Sequence, residues 1–200
     1  MTQQTVSRRR RIFREALSLA GLVLMILAAR SSLADHYYVP SGSMEHTLQI
    51  GDRVVVDKRA YGLRLPFTLS RVIAGEAVER GEIVIFDSPV NGNRLIKRIV
   101  AVGGDDVSLV GGRLSINGES LAVGVDHEQF GSRLAELKLD NGGGPDIAGS
   151  VPDGMLLAVG DHRGNSLDGR AFGLVAEREI YGKAVAVYYR RGDGFIWRPL

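Results

Sequence analysis

Val107-Ser108-Leu109-Val110-Gly111-Gly112-Arg113-Leu114-Ser115-Ile116 is a pair of short apolar-polar runs joined by Gly-Gly. Alternation with period two is the mark of a half-buried strand, and two glycines supply the positive φ angles of a two-residue hairpin turn. Asn117-Gly118 follows as a second turn signal. The rest of the chain reads the same way. Arg53-Val54-Val55-Val56, Glu82-Ile83-Val84-Ile85-Phe86 and Leu95 to Val102 are compact β-branched or aromatic runs, and Met155 to Val159 and Ala184 to Tyr189 add late strands. Glycine, 26 of 200 residues, is about twice the usual ~7%. The expected fold is mainly β, an antiparallel domain.

Two hundred residues with 44% apolar content suit one globular domain. From about residue 106 to 153 the composition loosens, ending in Asp140-Asn141-Gly142-Gly143-Gly144-Pro145-Asp146. This stretch reads as a small inserted β-rich subdomain, with a short turn of helix predicted at Leu134 to Leu139.

Ahead of the strands, Ala16 to Ala29 is an apolar run broken only by Ser18, flanked by Arg8, Arg9, Arg10, Arg11 and Arg14 on one side and by Arg30 on the other. With Ile12, Phe13, Leu33 and Ala34 added, and Arg14 and Arg30 snorkelling, it reaches spanning length. The expected layout is a cytoplasmic tail over 1–14, a transmembrane anchor over 15–34 and an extracytoplasmic domain over 35–200. A cleaved secretory signal fits the segment as well, with Ser32-Leu33-Ala34 as its small-x-small site. Five of the 25 basic residues precede the first acid, leaving 20 basic against 23 acidic groups in the remainder. The basic pI therefore belongs to the tail, and nucleic-acid binding is not expected.

Cysteine is absent, which excludes disulfides, a thiolate nucleophile and cysteine-ligated metals. His36, His46, His127 and His162 lack zinc spacing, so neither metal nor cofactor is expected. Three segments carry chemistry instead. Pro40-Ser41-Gly42-Ser43-Met44 presents Ser43 just beyond the apolar run. A serine needs a base within hydrogen-bond reach, and Lys97 in Leu95-Ile96-Lys97-Arg98-Ile99-Val100 can serve if burial depresses its pKa. Strand alternation sets Lys97 between Leu95 and Ile99, yet Arg98 is flanked equally by Ile96 and Val100; only the lysine can give up its proton to become a base. The third segment is Gly160-Asp161-His162-Arg163-Gly164-Asn165-Ser166-Leu167-Asp168-Gly169-Arg170. Taken singly, these are a turn serine, a snorkelling lysine and a surface ion pair.

In this order, followed after Ser43 by Met44-Glu45-His46-Thr47-Leu48 and Gly51-Asp52, the segments resemble those of the bacterial type I signal peptidases over most of the chain. The resemblance implies a membrane-bound serine endopeptidase with Ser43 as nucleophile and Lys97 as general base. It implies an oxyanion hole made by the Ser43 N–H and the Ser41 hydroxyl, Ser166 bonded to the lysine, and an Asp168–Arg170 ion pair supporting the site. It further implies no cofactor, preproteins bearing signal peptides as substrates, the phospholipid bilayer as partner, and a monomer held by a single span in the bacterial inner membrane. Met44, Tyr61, Leu63, Leu65, Pro66 and Phe67 are expected to be partly exposed around the site and, with Phe195-Ile196-Trp197, to meet the lipid interface.

The chain departs from the family at His46 (usually proline), His162 (usually asparagine), Gly164 (commonly aspartate) and Gly169 (usually serine). These histidines admit a rival triad: Ser43, with His162 or His46 as base and Asp161 or Asp168 as orienter. A same-clan peptidase for a pilin or conjugation factor, and a non-catalytic membrane-tethered β-module, are the alternative functions.

Overall fold

The computed structural model describes the backbone of residues 2–32, 34–64 and 71–200, with side chains described for 11–27, 34–62, 73 and 75–200. Helix α1 (Thr2–Ser32) leads into β1 (Ala34–Tyr38), followed by β2 (Arg53–Asp57), the hairpin β3 (Gly62–Arg64) and β4 (Arg71–Ala74), then β5 (Ile83–Asp87) and β6 (Arg94–Val102). Seven short strands come next: β7 (Asp106–Val110), β8 (Arg113–Ile116), β9 (Glu119–Ser120), β10 (Ala122–Val123), β11 (His127–Phe130), β12 (Arg133–Glu136) and β13 (Ile147–Ser150). The chain returns through β14 (Met155–Val159), a single helical turn α2 (Gly169–Phe172), β15 (Val175–Ala176), β16 (Ile180–Arg190) and β17 (Gly194–Pro199).

The Gly-Gly hairpin forms as read. Gly111 and Gly112 have φ of 56° and 78°, and Val110 pairs with Arg113 and Val107 with Ile116. The main sheet runs β1-β2-β16-β5-β6-β14-β15 with β17 beside β16, every pair antiparallel. Strand β6 is its pivot: Ile96, Ile99 and the pair Val100 and Ala101 enter three different core clusters. That explains a strand buried on both faces, where an apolar run replaces clean alternation. Two of the three smaller sheets, β10-β11-β12 and β13-β7-β8-β9, share one of those cores with β6 and β14 through Leu109, Leu114, Phe130, Leu137 and Leu157. Residues 106–150 are thus packed on the main sheet rather than tethered to it.

The helix expected at Leu134 to Leu139 does not form: the residues to Glu136 belong to β12, and Leu137 and Lys138 make isolated bridges to His46 and His162. Gln129 pairs with Leu134 and Glu128 with Ala135, which turns Ala135 into the core and leaves Leu134 exposed. Pairing with β11 overrides the helix preference of Leu, Ala, Glu and Lys. The described side chains of α1 are exposed, among them Leu22, Leu24, Met25 and Ile26. Among the described residues no helix is long and apolar enough to cross a membrane; the side chains of 28–33, where the apolar run ends, lie outside those described.

Candidate active site

The loop after β1 is fixed by two apolar plugs. Met44 and Leu48 are fully buried in the cluster with Val39, Val54 and Ile85, and the Leu48 N–H donates to the Met44 carbonyl at 2.7 Å. Met44 is therefore not an exposed contact, and neither is Tyr61, whose buried hydroxyl donates to Glu82 at 2.8 Å. Burying the residue after Ser43 holds the serine backbone in place. Leu65, Pro66 and Phe67 lie outside the described residues, as does the Leu63 side chain.

Lys97 sits mid-strand on β6, paired across from Val84, with its side chain almost wholly buried (3% exposed). Its Nζ lies 2.5 Å from Ser43 Oγ, and the Ser41 hydroxyl donates to Ser43 Oγ at 3.5 Å. Burial pushes the Lys97 amine down from the usual 10.5 to about 8; the carboxylates of Asp168 and Asp161 pull it upward and Arg170 pushes it down again. Burial wins because no carboxylate forms a hydrogen bond with the amine among the contacts described. At neutral pH about a tenth of such a lysine is a free base.

Arg98 is just as buried, and its own carboxylate decides its role. Arg98 grips Asp161 through two hydrogen bonds of 2.9 and 2.7 Å, and Thr47 donates to the same carboxylate at 2.6 Å. Asp168 and Arg170, also read as an ordinary surface pair when taken alone, are interior: two guanidinium bonds of 2.9 Å join them, and Asp168 accepts the Gly160 N–H at 2.9 Å. Burial alone would raise the Asp168 carboxyl, but Arg170 and the Gly160 amide hold it below the ordinary carboxylate range. Asp168 also caps α2 by accepting the Arg170 N–H.

Ser166 departs from the expected contact. Its buried hydroxyl has no partner at hydrogen-bond geometry among the described residues, although it lies near enough to help lower Asp168. It packs instead on Gly160, where a Cβ would fall 2.2 Å from Ser166 Oγ and 2.4 Å from the Ser43 carbonyl oxygen. Only glycine fits between the two loops.

The histidine-based triad is not assembled. His162 Nδ1 lies 3.1 Å from the Gly42 carbonyl oxygen and Nε2 lies 2.8 and 3.0 Å from Asp140, so both ring nitrogens are engaged away from Ser43 Oγ. Asp161 and Asp168 hold arginines. His46 faces Glu136 at 3.5 Å and is half exposed.

Three interactions have no place in the motif reading. Asp140 binds His162. Arg163 and Glu128, both completely buried, form bonds of 3.0 and 2.5 Å, and Arg163 also donates to the Gly112 and Gly160 carbonyls at 2.6 and 3.2 Å. Lys138 binds Glu45 at 2.9 Å. All three tie residues 106–150 to the loops around Ser43. Glu128 had a signal, since period two in His127-Glu128-Gln129-Phe130 puts it on the inward face with Phe130. Asp140, in a glycine-rich stretch, had none.

A family model described as "Signal peptidase, peptidase S26" matches residues 12–189. The signal peptidase I of Pseudomonas fluorescens is 35% identical over 197 residues, covering 84% of this chain and 69% of that protein. That of Pseudomonas aeruginosa is 35% identical over 195 residues, with the same coverage of 84% and 69%. A crystal structure of a signal peptidase I from Enterococcus faecalis V583 is similar at 29% identity and a TM-score of 0.40, covering 54% of this chain and 97% of that one.

Proposed function

The chain belongs to the signal peptidase family, peptidase S26, and from that membership we propose that it removes signal peptides from secretory preproteins, with Ser43 as nucleophile and Lys97 as general base. The observation that carries the mechanism is the 2.5 Å approach of Lys97 Nζ to Ser43 Oγ, inside a site that depresses the amine to about 8. Neutral Lys97 takes the hydroxyl proton as Ser43 Oγ attacks the scissile carbonyl carbon. The tetrahedral oxyanion is held by the Ser43 N–H and the Ser41 hydroxyl. Collapse breaks the C–N bond, and the lysine ammonium returns its proton to the leaving amine. A water then gives its proton to Lys97 as it attacks the acyl-enzyme, and collapse releases the signal peptide while Lys97 returns that proton to Ser43 Oγ. The Asp168–Arg170 pair braces the Gly160 loop against Ser43.

Cleavage of a preprotein with an Ala-x-Ala site tests this reading. The parent should cut it, Ser43→Ala and Lys97→Ala should not, and His162→Ala should keep measurable turnover. Activity in Lys97→Ala with loss in His162→Ala would move the base to histidine; a folded parent inert on generic preproteins would point to a specialised substrate.

α1 anchors the enzyme in the bilayer with its arginine cluster on the cytoplasmic side. What supports this is an apolar helix surface with no protein cover, a surface that needs some other apolar partner. The strongly exposed Phe195 (86%) and Trp197 (68%) suit the lipid interface of the same membrane. Alkaline carbonate should leave the full chain in the membrane pellet, and its release into the supernatant would refute the anchor.

A further inference from the structure

We propose that His162 is a positioning residue of the oxyanion site: with Asp140 it fixes and polarises the Gly42–Ser43 peptide, whose N–H is one of the two oxyanion donors. This rests on the Ser43 nucleophile reading.

The ring is enclosed, 6% exposed, and each nitrogen faces a group that can only accept: the Gly42 carbonyl at 3.1 Å and the Asp140 carboxylate at 2.8 and 3.0 Å. A neutral imidazole carries one N–H. The ring is set between two acceptors, so an N–H on either nitrogen has a partner. Fixed charges hold this pair in place: Glu45 lies 3.6 Å from Nδ1, while Lys138 is held by Glu45 at 2.9 Å and stands 4.0 Å from Asp140.

The Gly42 carbonyl belongs to the same planar peptide unit as the Ser43 N–H, so holding the oxygen sets the direction of the hydrogen. Donation from Nδ1–H into that carbonyl also strengthens the Ser43 N–H as a donor, since bonds in series polarise one another. The next unit is held by the same residue, because the His162 N–H donates to the Ser43 carbonyl at 3.2 Å. Together with the Glu45 N–H, which also donates to the Gly42 carbonyl at 3.1 Å, one side chain and one amide of residue 162 thus fix both peptide planes around the nucleophile.

Asp140 reaches the ring because residue 164 has no side chain. A Cβ there would fall 2.0 Å from the Asp140 carbonyl oxygen and 2.3 Å from its Oδ1. Gly164 does not need glycine for its φ; it needs the space. His162, Gly164 and Asp140 therefore form one device.

The test measures kcat and KM on the Ala-x-Ala preprotein in the full-length enzyme, together with inhibition by a peptide aldehyde of the same sequence. Ser43 Oγ adds to the aldehyde carbon, its proton passes to Lys97, and the aldehyde oxygen becomes the oxyanion. His162→Ala should lower kcat about 10- to 100-fold, below the full loss of a donor, and weaken the aldehyde by the same factor with KM unchanged. His162→Gln, which keeps an N–H donor without the ring, should recover part of the loss, and Asp140→Asn should lose a smaller part. If His162→Ala does not fold, His162→Gln and Asp140→Asn carry the comparison. A rise in KM at constant kcat, or a fall in kcat with undiminished aldehyde affinity, would overturn the proposal. Cleavage surviving in Ser43→Ala, with a parent indifferent to the aldehyde, would instead sink the nucleophile reading and this one with it.

Discussion

Lys97→Met is expected to lower cleavage by about 10³-fold or more and, at the same time, to unfold at a higher temperature than the parent. The amine sits at about 8 in the fold against 10.5 in open chain, with burial as the main cause and the Asp168 and Asp161 carboxylates only partly offsetting it. At pH 7 that difference is an unfavourable contribution of about 3 kcal/mol. Methionine fills nearly the same volume without charge, but leaves Ser43 Oγ without its 2.5 Å partner, a loss of about 1 kcal/mol. The net gain should be about 1–3 kcal/mol, or about 2–10 °C in Tm for a chain of this size.

The sign of the pH dependence provides a second check on the same variant. Below about 8 both folded and unfolded parent chains carry the proton, so the penalty is constant there. Between about 8 and 10.5 the unfolded chain still holds a proton that the folded chain has released, so raising pH favours the fold. Parent stability should gain on that of Lys97→Met across this window, and parallel curves would refute a buried amine as the cause. Parent kcat/KM should climb tenfold per pH unit on the acid side and level off above about 8.

How much of this was legible depended on whether a residue's partner lay within its own segment. The Val107 to Ile116 hairpin and the strand Met155–Val159 carry their determinants locally, in alternation and turn glycines, and form at the positions read. Leu134 to Leu139 does not, because pairing of its first residues with β11 and bridges from Leu137 and Lys138 to His46 and His162 set its conformation. Lys97 and Arg98 are equally buried and flanked alike; chemistry told which could act as base, but the Asp161 that occupies Arg98 comes from 63 residues away. Met44 reads as loop by its neighbours and is core by its side chain. Ser41, Ser43 and Lys97 converge as the motifs implied, and Asp168 and Arg170 pair, whereas Ser166 packs without the expected bond. Histidine is the usual base beside a serine, and the motif alone offers His162 for that part. The part proposed for His162 depends on Asp140 and on the missing side chain at Gly164, which no local pattern encodes.

Breaking the Arg163–Glu128 pair should be the largest destabilisation that leaves every proposed catalytic group intact. Both side chains are fully enclosed, so Glu128→Ala strands a guanidinium without a counter-ion, a loss of about 3–5 kcal/mol. It also removes the acceptor of the Leu114 N–H, which Glu128 Oε1 takes at 2.9 Å. Glu128→Gln should be milder by about 1 kcal/mol or more, because an amide oxygen can still accept that N–H. Set against a total stability of about 5–15 kcal/mol, the alanine variant should melt roughly 10 °C lower or more. Replacing both partners, Glu128→Leu with Arg163→Met, should recover much of the stability, since removing a buried pair together avoids the stranded charge. Cleavage should not recover with it. Arg163 is also the donor that ties the Gly160 carbonyl to the Gly112 turn, and the double variant loses that tether beside Ser43. A double variant with parental kcat would show that this cross-tie serves the fold alone; restored stability with reduced kcat would make residues 106–150 a working part of the active site.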